Sequence, residues 1–539
     1  MADVRDDITI ATLWSEAVER WSDRPFLAVP PNPDRDYLTG GTEISYAEAD
    51  RDIRALAEAY RSAGYGLGHR VALLLENRPE HVFHRLALNS IGASVVPINP
   101  DYRAAETAYL LEHSEPDLLL VTQRRLAQIE SALAESEHKP PVHEPAPGLR
   151  PPMPARRSMH GVPSPETEAQ ILYTSGTTGR PKGCLISHGY EVSMGDWYAN
   201  RGGTFSLRSG EDRIYNPLPL YHINSGIISL LGAVASGCCQ IQTDRFNPTR
   251  WWREVKATHA TIVHYLGIVA PMLLKQPPSD ADRDHAVRLG FGAGIEPALH
   301  SVFEERFGFP MIEVWGMTES CRILIDNGEP RQTGTRAFGK AVPGLDVRVV
   351  DEADREVADG SPGEMVVRHS GETPRRAMFS GYLKNDEETA RAWRGGWFHT
   401  GDTVWRGRDG MLHFVDRKKN IIRRSGENIA AAEIEALLLT HPDVAQVAVM
   451  AVKDEVREEE VLACVVTRSG ANDQKAAEDV FHYCNQRLAY FKAPGWVWFA
   501  AALPTTGTQK LQKHMIFPDH ADPREAPGMI DLRHMKRRG

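Results

Sequence analysis

The run YTSGTTGRPKG at 173–183 constrains this chain more than any other stretch. It continues QILY (170–173), a short strand signal, directly into a loop built to hold phosphate. Gly176 and Gly179 permit positive φ and close backbone approach. Successive N–H groups can then form an anion-binding concavity, and Thr174, Ser175, Thr177 and Thr178 add hydroxyl donors. The nucleotide loop that opens straight into a helix ends in Gly-Lys-Ser/Thr. Here Pro181 precedes Lys182 and Gly183 follows it. Pro181 biases Arg180 away from helix, and the next N-cap candidate is Ser187. A phosphate bound here therefore has no helix N-terminus beneath it.

The rest of the first 330 residues supplies a setting for such a loop. Leu13, Trp14, Ala17, Val18 and Trp21 share one helical face, and Ile53, Leu56, Ala57 and Tyr60 share another. VALLL (71–75) and SVVPI (94–98) read as buried strands flanking a helix from Glu80 to Ile91. Strands near 262–265 and 311–315 follow, with helices between. This alternation predicts parallel sheets with covering helices. Residues 139–165 are proline-rich and predict an exposed, extended connection. Past 340 the texture becomes short strands and turns, with Asp409-Gly410 marking a hairpin. From about 420 to 515 the pattern is that of a small α+β unit. Ile434, Leu437 and Leu438 mark one helix there, Val480, Phe481, Cys484 and Leu488 another, and VAQVAVMAV and VLACVV read as strands.

At 539 residues the chain exceeds one hydrophobic core. Its net charge of −10 disfavours nucleic acid or an anionic membrane as partner. No apolar run approaches the ~20 residues of a membrane span. The acidic N-terminus lacks a signal-peptide core, and the six cysteines form no CxxC pair, so they read as reduced thiols of a cytoplasmic protein. The basic end from His534 to Arg538 reads as a solvated tail.

Several further segments stand in order behind the glycine-rich run: PLPLYHIN (217–224), GFGAGIEP (290–297), VWGMTES (314–320), WFHTGD (397–402), VDRKKN (415–420), RRSGENIAAAEIE (423–435) and LPTTGTQKLQK (503–513). Together they resemble the adenylate-forming (AMP-binding) superfamily, which includes acyl-CoA synthetases, luciferases and peptide-synthetase adenylation domains. The resemblance spans nearly the whole chain. It implies a large N-terminal domain over 1–418, made of two α/β subdomains and a β-rich one, and a small mobile α+β domain over 419–539. It implies ATP, Mg²⁺ and coenzyme A as cofactors, a small-molecule carboxylic acid as substrate, and leaves room for a homodimer.

Residue by residue, the resemblance gives the 174–179 loop and Lys182 to the ATP phosphates. His222 would border the carboxylate pocket. Gly292, Ala293 and Gly294 would make a flat wall along the adenine. Trp315, where many relatives have tyrosine, would stack on that base beside Gly316. Thr318 would bond the α-phosphate and Glu319 would hold Mg²⁺. Asp402 would accept the ribose hydroxyls, with Arg417 at the ribose and phosphate. Lys419 falls at the interdomain hinge, Gly426 in the loop that serves thioester formation, and Lys510 at the lysine that performs adenylation. Gln509 replaces the glycine common before that lysine, Ala431 a common proline, and Asn420 a common aspartate.

The expected reaction is attack of a carboxylate on the ATP α-phosphorus, then attack of a thiol on the acyl-adenylate. A cation aimed at the developing charge acts most strongly in the transition state. LLKQPPSDADRDH (273–285) and FVDRKKNIIRRSGENI (414–429) give a likeness to bacterial crotonobetaine/carnitine-CoA ligases. A free-standing adenylation enzyme that loads a carrier protein is the alternative. An amino-acid substrate is disfavoured, since YNPLPLYHINSG (215–226) lacks the aspartate that binds its amine. Retention of Glu319, Asp402, Arg417 and Lys510 speaks against a nucleotide-binding regulator without catalysis; a luciferase-like oxygenase would share the adenylation step.

Overall fold

Parallel strands with helices against them build the first 330 residues, as the alternation predicts. The computed structural model describes residues 5–146, 148–174, 180–267, 269–417, 421–504, 513, 516–517 and 522–537. Among these, one eight-stranded sheet runs in the order Thr42–Ser45, Pro25–Val29, Cys239–Gln242, Arg213–Asn216, Ile262–Leu266, Leu289–Ala293, Met311–Met317 and Ser320–Ile325. Its outermost strands are antiparallel and every pairing between them is parallel. A seven-stranded sheet is ordered Gly381–Tyr382, Lys182–Ser187, Glu168–Thr174, Ser94–Pro97, Arg70–Leu74, Leu118–Val121 and Val142–His143.

Helices fill the space between these sheets. Thr9 caps Ile10–Trp21 by accepting the Thr12 N–H, and Leu13, Trp14 and Ala17 point inward. They pack in one core with Tyr46, Leu27 of the first sheet and Leu73 and Val95 of the second. The expected N-cap at Ser187 is present: its hydroxyl accepts the Tyr190 N–H and opens helix His188–Ala199.

The β-rich texture past 340 is a five-stranded sheet ordered Ala337–Gly339, Leu412–Arg417, Phe398–Arg406, Gly363–His369 and Leu345–Val350. Gly410, at φ +83°, turns the hairpin that the Asp-Gly pair predicts. The small domain carries a sheet in which Val444–Asp454 pairs with Glu458–Thr467. Alternation along these strands sends Val447, Val449, Val461 and Ala463 toward helices Ala431–Leu438 and Gln474–Asn485. Ala448, Val452, Leu462 and Cys464 face the other way, against Leu503 and Ile516.

Two expectations change. The proline-rich ribbon 139–165 is extended and largely exposed, but it is tied down. Leu149 is buried in the N-terminal core, Met159 N–H bonds Leu67 C=O, and Arg156 pairs with Asp117 at 2.6 Å. The basic end is not a solvated tail throughout, because Lys536 is buried and pairs with Glu460 at 2.5 Å. All six cysteines are buried free thiols. No helix among the described residues is long and apolar enough to cross a membrane.

Candidate active site

The carboxyl ends of Glu168–Thr174, Arg213–Asn216, Ile262–Leu266, Leu289–Ala293 and Met311–Met317 open toward one cavity of about 1040 Å³. Ligands of open α/β sheets bind in such crevices, because strand ends and the following loops converge there. The five-stranded sheet contributes Thr400 and Gly401, and the small domain contributes Ser425, Gly426, Glu427 and Lys492.

The glycine-rich run is the connection of a hairpin. Thr174 pairs with Lys182 across antiparallel strands, so Lys182 starts a strand rather than a helix. The loop Ser175–Gly179 itself lies outside the described residues. Lys182 enters the cavity wall already engaged: it pairs with Glu388 and sits 4.8 Å from the centre of the Tyr382 ring. Burial first, and then the Arg391 guanidinium, hold its pKa below the ordinary lysine range.

Thr318 and Glu319 follow strand Met311–Met317 and line the cavity beside Gly316. Glu319 is buried, and Tyr382 donates its O–H to Glu319 Oε1 at 2.8 Å. The Thr318 carbonyl accepts from Tyr190 at 3.0 Å. One carboxylate is oriented here, and among the described residues no cluster of three or more metal-ligating side chains surrounds it. That donor set suits a hard cation that arrives with phosphate oxygens rather than a caged resident metal.

Trp315 and Asp402 stand beside the cavity-lining Gly316 and Gly401, bonded to each other. Both are buried, and the indole N–H donates to Asp402 Oδ2 at 2.8 Å. Asp402 lies directly across the hairpin from Arg417, so the two expected ribose residues share one register position. The Arg417 side chain, Lys419 and Lys510 lie outside the described residues.

The expected adenine wall depends on a residue that motif spacing missed. Ala293 lines the cavity, and Gly292 leaves room for Tyr265, whose carbonyl oxygen would lie 2.2 Å from an added Cβ. Gly294 turns the chain at φ +85°. Glu313 fastens this turn by accepting the Gly294 N–H at 2.9 Å, the Ile295 N–H at 3.2 Å and the Tyr265 O–H at 2.6 Å. Burial pushes its carboxyl up. A glutamate inside the otherwise apolar MIEVW is the signal that could have found it.

His222 lines the cavity, its ring 4.7 Å from Tyr221 and its Nε2 3.5 Å from Glu427 of the small domain. Glu427 follows a two-residue turn whose residues, Ser425 at φ 52° and Gly426 at φ 87°, are both left-handed, as tight hairpins require. A Cβ on Gly426 would lie 2.8 Å from Leu266 Cδ1 and would meet the strain of a positive φ, so glycine suits the turn tip against the large domain.

Lys492 joins the domains. It contacts Glu106 of the large domain at 2.5 Å and Glu433 of its own at 3.0 Å, over the Tyr102 ring at 4.8 Å. Burial works against its ammonium, but Glu106 and Glu433 outweigh that, and its pKa rises well above the ordinary value. The described residues that flank Lys510 — Leu503, Pro504, Lys513 and Ile516 — do not line the cavity. Leu503 and Ile516 pack on the far sheet face, and Lys513 bonds Val449 C=O at 2.7 Å.

The profile of the AMP-binding enzyme family matches residues 14–383, and that of the AMP-binding enzyme C-terminal domain matches 433–510. A crotonobetaine/carnitine–CoA ligase of Shigella dysenteriae serotype 1 is 30% identical over 484 residues, covering 87% of this chain and 92% of that protein. The o-succinylbenzoate CoA synthetase of Bacillus subtilis superposes with a TM-score of 0.79 at 23% identity, covering 93% of this chain and 97% of that one. The amide bond synthetase of Marinactinospora thermotolerans gives 0.79 at 26% identity, covering 94% and 98%. With matches to both the large and the C-terminal domain and a site built at the expected strand ends, this chain belongs to the AMP-binding enzyme family.

Proposed function

We propose that this chain is an ATP-dependent, AMP-forming acid–CoA ligase. It activates a small-molecule carboxylic acid as an acyl-adenylate and then passes the acyl group to the thiol of coenzyme A. The observation that carries this reading is the shared cavity, where Lys182, His222, Thr318 and Glu319 of the large domain meet the Ser425–Gly426 turn of the small one. The kinship with a ligase named for CoA supports the choice of acceptor.

In this reading the 174–179 loop and Lys182 bind the phosphates that leave as pyrophosphate, and Thr318 orients the α-phosphate. Trp315 fixes Asp402 for the ribose, and His222 borders the reacting carboxylate. Mg²⁺, held through Glu319, would neutralise charge on the phosphate oxygens. Lys510 presents the cation that draws carboxylate and α-phosphate together. In the arrangement seen here the Gly426 turn faces the cavity while the flanks of Lys510 pack elsewhere. The adenylation step then needs a second docking of the small domain, reached by rotation about Lys419.

Pyrophosphate exchange into ATP with a panel of carboxylic acids tests the first half-reaction. Acid-dependent exchange is expected, followed by AMP release when CoA is added. Exchange with release only on a pantetheinylated carrier protein would move the reading to a carrier-loading enzyme. Absence of exchange with every acid would sink it.

Trp315→Phe separates the nucleotide site from general packing. The variant loses a hydrogen bond to a buried carboxylate, with a net cost of about 1.5–3 kcal/mol. The KM for ATP should rise about tenfold or more, while kcat and the KM for the acid stay near wild type. An unchanged KM for ATP would show that Asp402 does not depend on Trp315 for its orientation.

A further inference from the structure

The cavity contains a polar group that the reaction, as described, does not use. Asn224 lines it at the start of helix Asn224–Ser229, two residues past His222. Its orientation follows from a chain of hydrogen bonds that begins at the backbone. Leu218 N–H donates to Asn216 Oδ1 at 3.0 Å, so the Asn216 amide nitrogen must point the other way. That nitrogen donates to Asn224 Oδ1 at 2.9 Å and to Ser229 Oγ at 2.9 Å. His264 Nδ1 reaches the same Asn224 oxygen at 2.7 Å, and its Nε2 meets the Tyr198 hydroxyl at 2.7 Å. Asn224 Oδ1 can only accept, so His264 carries its proton on Nδ1, and Tyr198 donates to Nε2. Burial lowers the His264 pKa to about 3, so the ring stays neutral.

Both lone-pair directions of Asn224 Oδ1 are thus taken from behind the cavity wall. The Asn224 amide nitrogen has no hydrogen-bond partner among the described residues, and its two N–H groups remain for whatever enters. Apolar side chains share this wall: Ile228 follows on the same helix, and Phe291 lies 4.8 Å from the His264 ring. No cation belongs to the network, since its members are two amides, a serine, a tyrosine and a neutral imidazole.

We propose that Asn224 is a specificity-determining residue, and that the acid activated here carries a neutral oxygen acceptor — a carbonyl, hydroxyl or ether — on its acyl chain. This rests on the acid-activating function proposed above. A fixed amide donor in this wall disfavours a plain hydrocarbon chain, which would strip water from the N–H groups without replacing it. It disfavours a quaternary ammonium group, which has nothing to accept with.

The test is pyrophosphate exchange with matched pairs of acids of equal chain length, one plain and one with a keto, hydroxyl or ether oxygen, taken across chain lengths. Wild type should favour the oxygenated member at its best length by about 10²-fold or more in kcat/KM. Asn224→Leu should lose at least tenfold toward that acid and gain toward its plain partner. Asn224→Asp keeps the acceptor that Asn216 and His264 need, but presents an oxygen to the cavity. It should lose the oxygenated acids while keeping the thermal midpoint of wild type, which separates recognition from folding. Equal use of paired acids by wild type, or equal loss of both in the two variants, overturns the proposal and leaves the acid-activating function standing. If no acid supports exchange in wild type, the function itself falls, and this assignment with it.

Discussion

Replacing Lys510 by alanine should reduce acid-dependent pyrophosphate exchange by about 10²–10³-fold, the usual cost of removing one preorganised electrostatic group from a transition state. The carboxylate and the α-phosphate are both anions, and charge accumulates on the phosphorus oxygens and the departing pyrophosphate as they meet. A cation that contacts these groups mainly in the transition state raises kcat more than it affects ATP binding. ATP affinity in Lys510→Ala should therefore stay near wild type. So should the transfer of a preformed acyl-adenylate to CoA, because the flanks of Lys510 pack away from the cavity when the Gly426 turn faces it. Lys182→Ala should cost less. That ammonium is already paired with Glu388 and stacked on Tyr382, so in the proposed reading it is part of a fixed wall for phosphate. Its loss should raise the KM for ATP more than it lowers kcat. A larger kcat defect in Lys182→Ala than in Lys510→Ala would reverse the two assignments.

The residues that motif spacing reveals are those whose chemistry depends on short stretches of chain. Thr318 and Glu319 stand next to each other at a strand end, and the Ser425–Gly426 turn needs two consecutive left-handed residues; such features survive in one dimension. The parallel sheets were legible because inner strands such as Arg70–Leu74 are buried on both faces and so read as continuous apolar runs between helical segments. The antiparallel strand Lys182–Ser187 was harder to see. KGCLIS is short and ambiguous, and only its pairing with Glu168–Thr174 makes the phosphate run a hairpin connection. Contacts between distant segments were not legible at all. Trp315 reads as a base-stacking ring by position, yet here its N–H is spent on a carboxylate 87 residues later. The orientation of Asn224 needs Asn216 and His264 from two other strands. Lys536 reads as tail because charge at a chain end is usually solvated, and only the tertiary fold supplies Glu460.

Lys492 is the strongest case of such a contact, with a partner 386 residues away in the chain, and it leads to the second large effect expected. Glu433 and Lys492 move together with the small domain, whereas Glu106 belongs to the large one. The rotation about Lys419 proposed above would therefore break the Lys492–Glu106 contact and leave Lys492–Glu433 intact. The buried pair then stabilises one docking, the one with Gly426 at the cavity, and contributes nothing to the other. Removing one partner of a buried ion pair costs about 3–5 kcal/mol, or about 10²–10⁴-fold in the population of that docking. Lys492→Met should accordingly slow transfer of a preformed acyl-adenylate to CoA by up to that factor, while acid-dependent pyrophosphate exchange is retained. Glu106→Gln is the milder control. It can still cap its helix by accepting the Arg103 N–H, as Glu106 does at 3.0 Å, but it offers Lys492 no charge. It should show the same selectivity with a smaller loss, about 10–100-fold. Glu106 lies outside the small domain, so a selective defect in Glu106→Gln cannot come from misfolding of that domain. Equal loss of both half-reactions in Glu106→Gln would mean that the cluster supports the fold as a whole and does not choose between dockings.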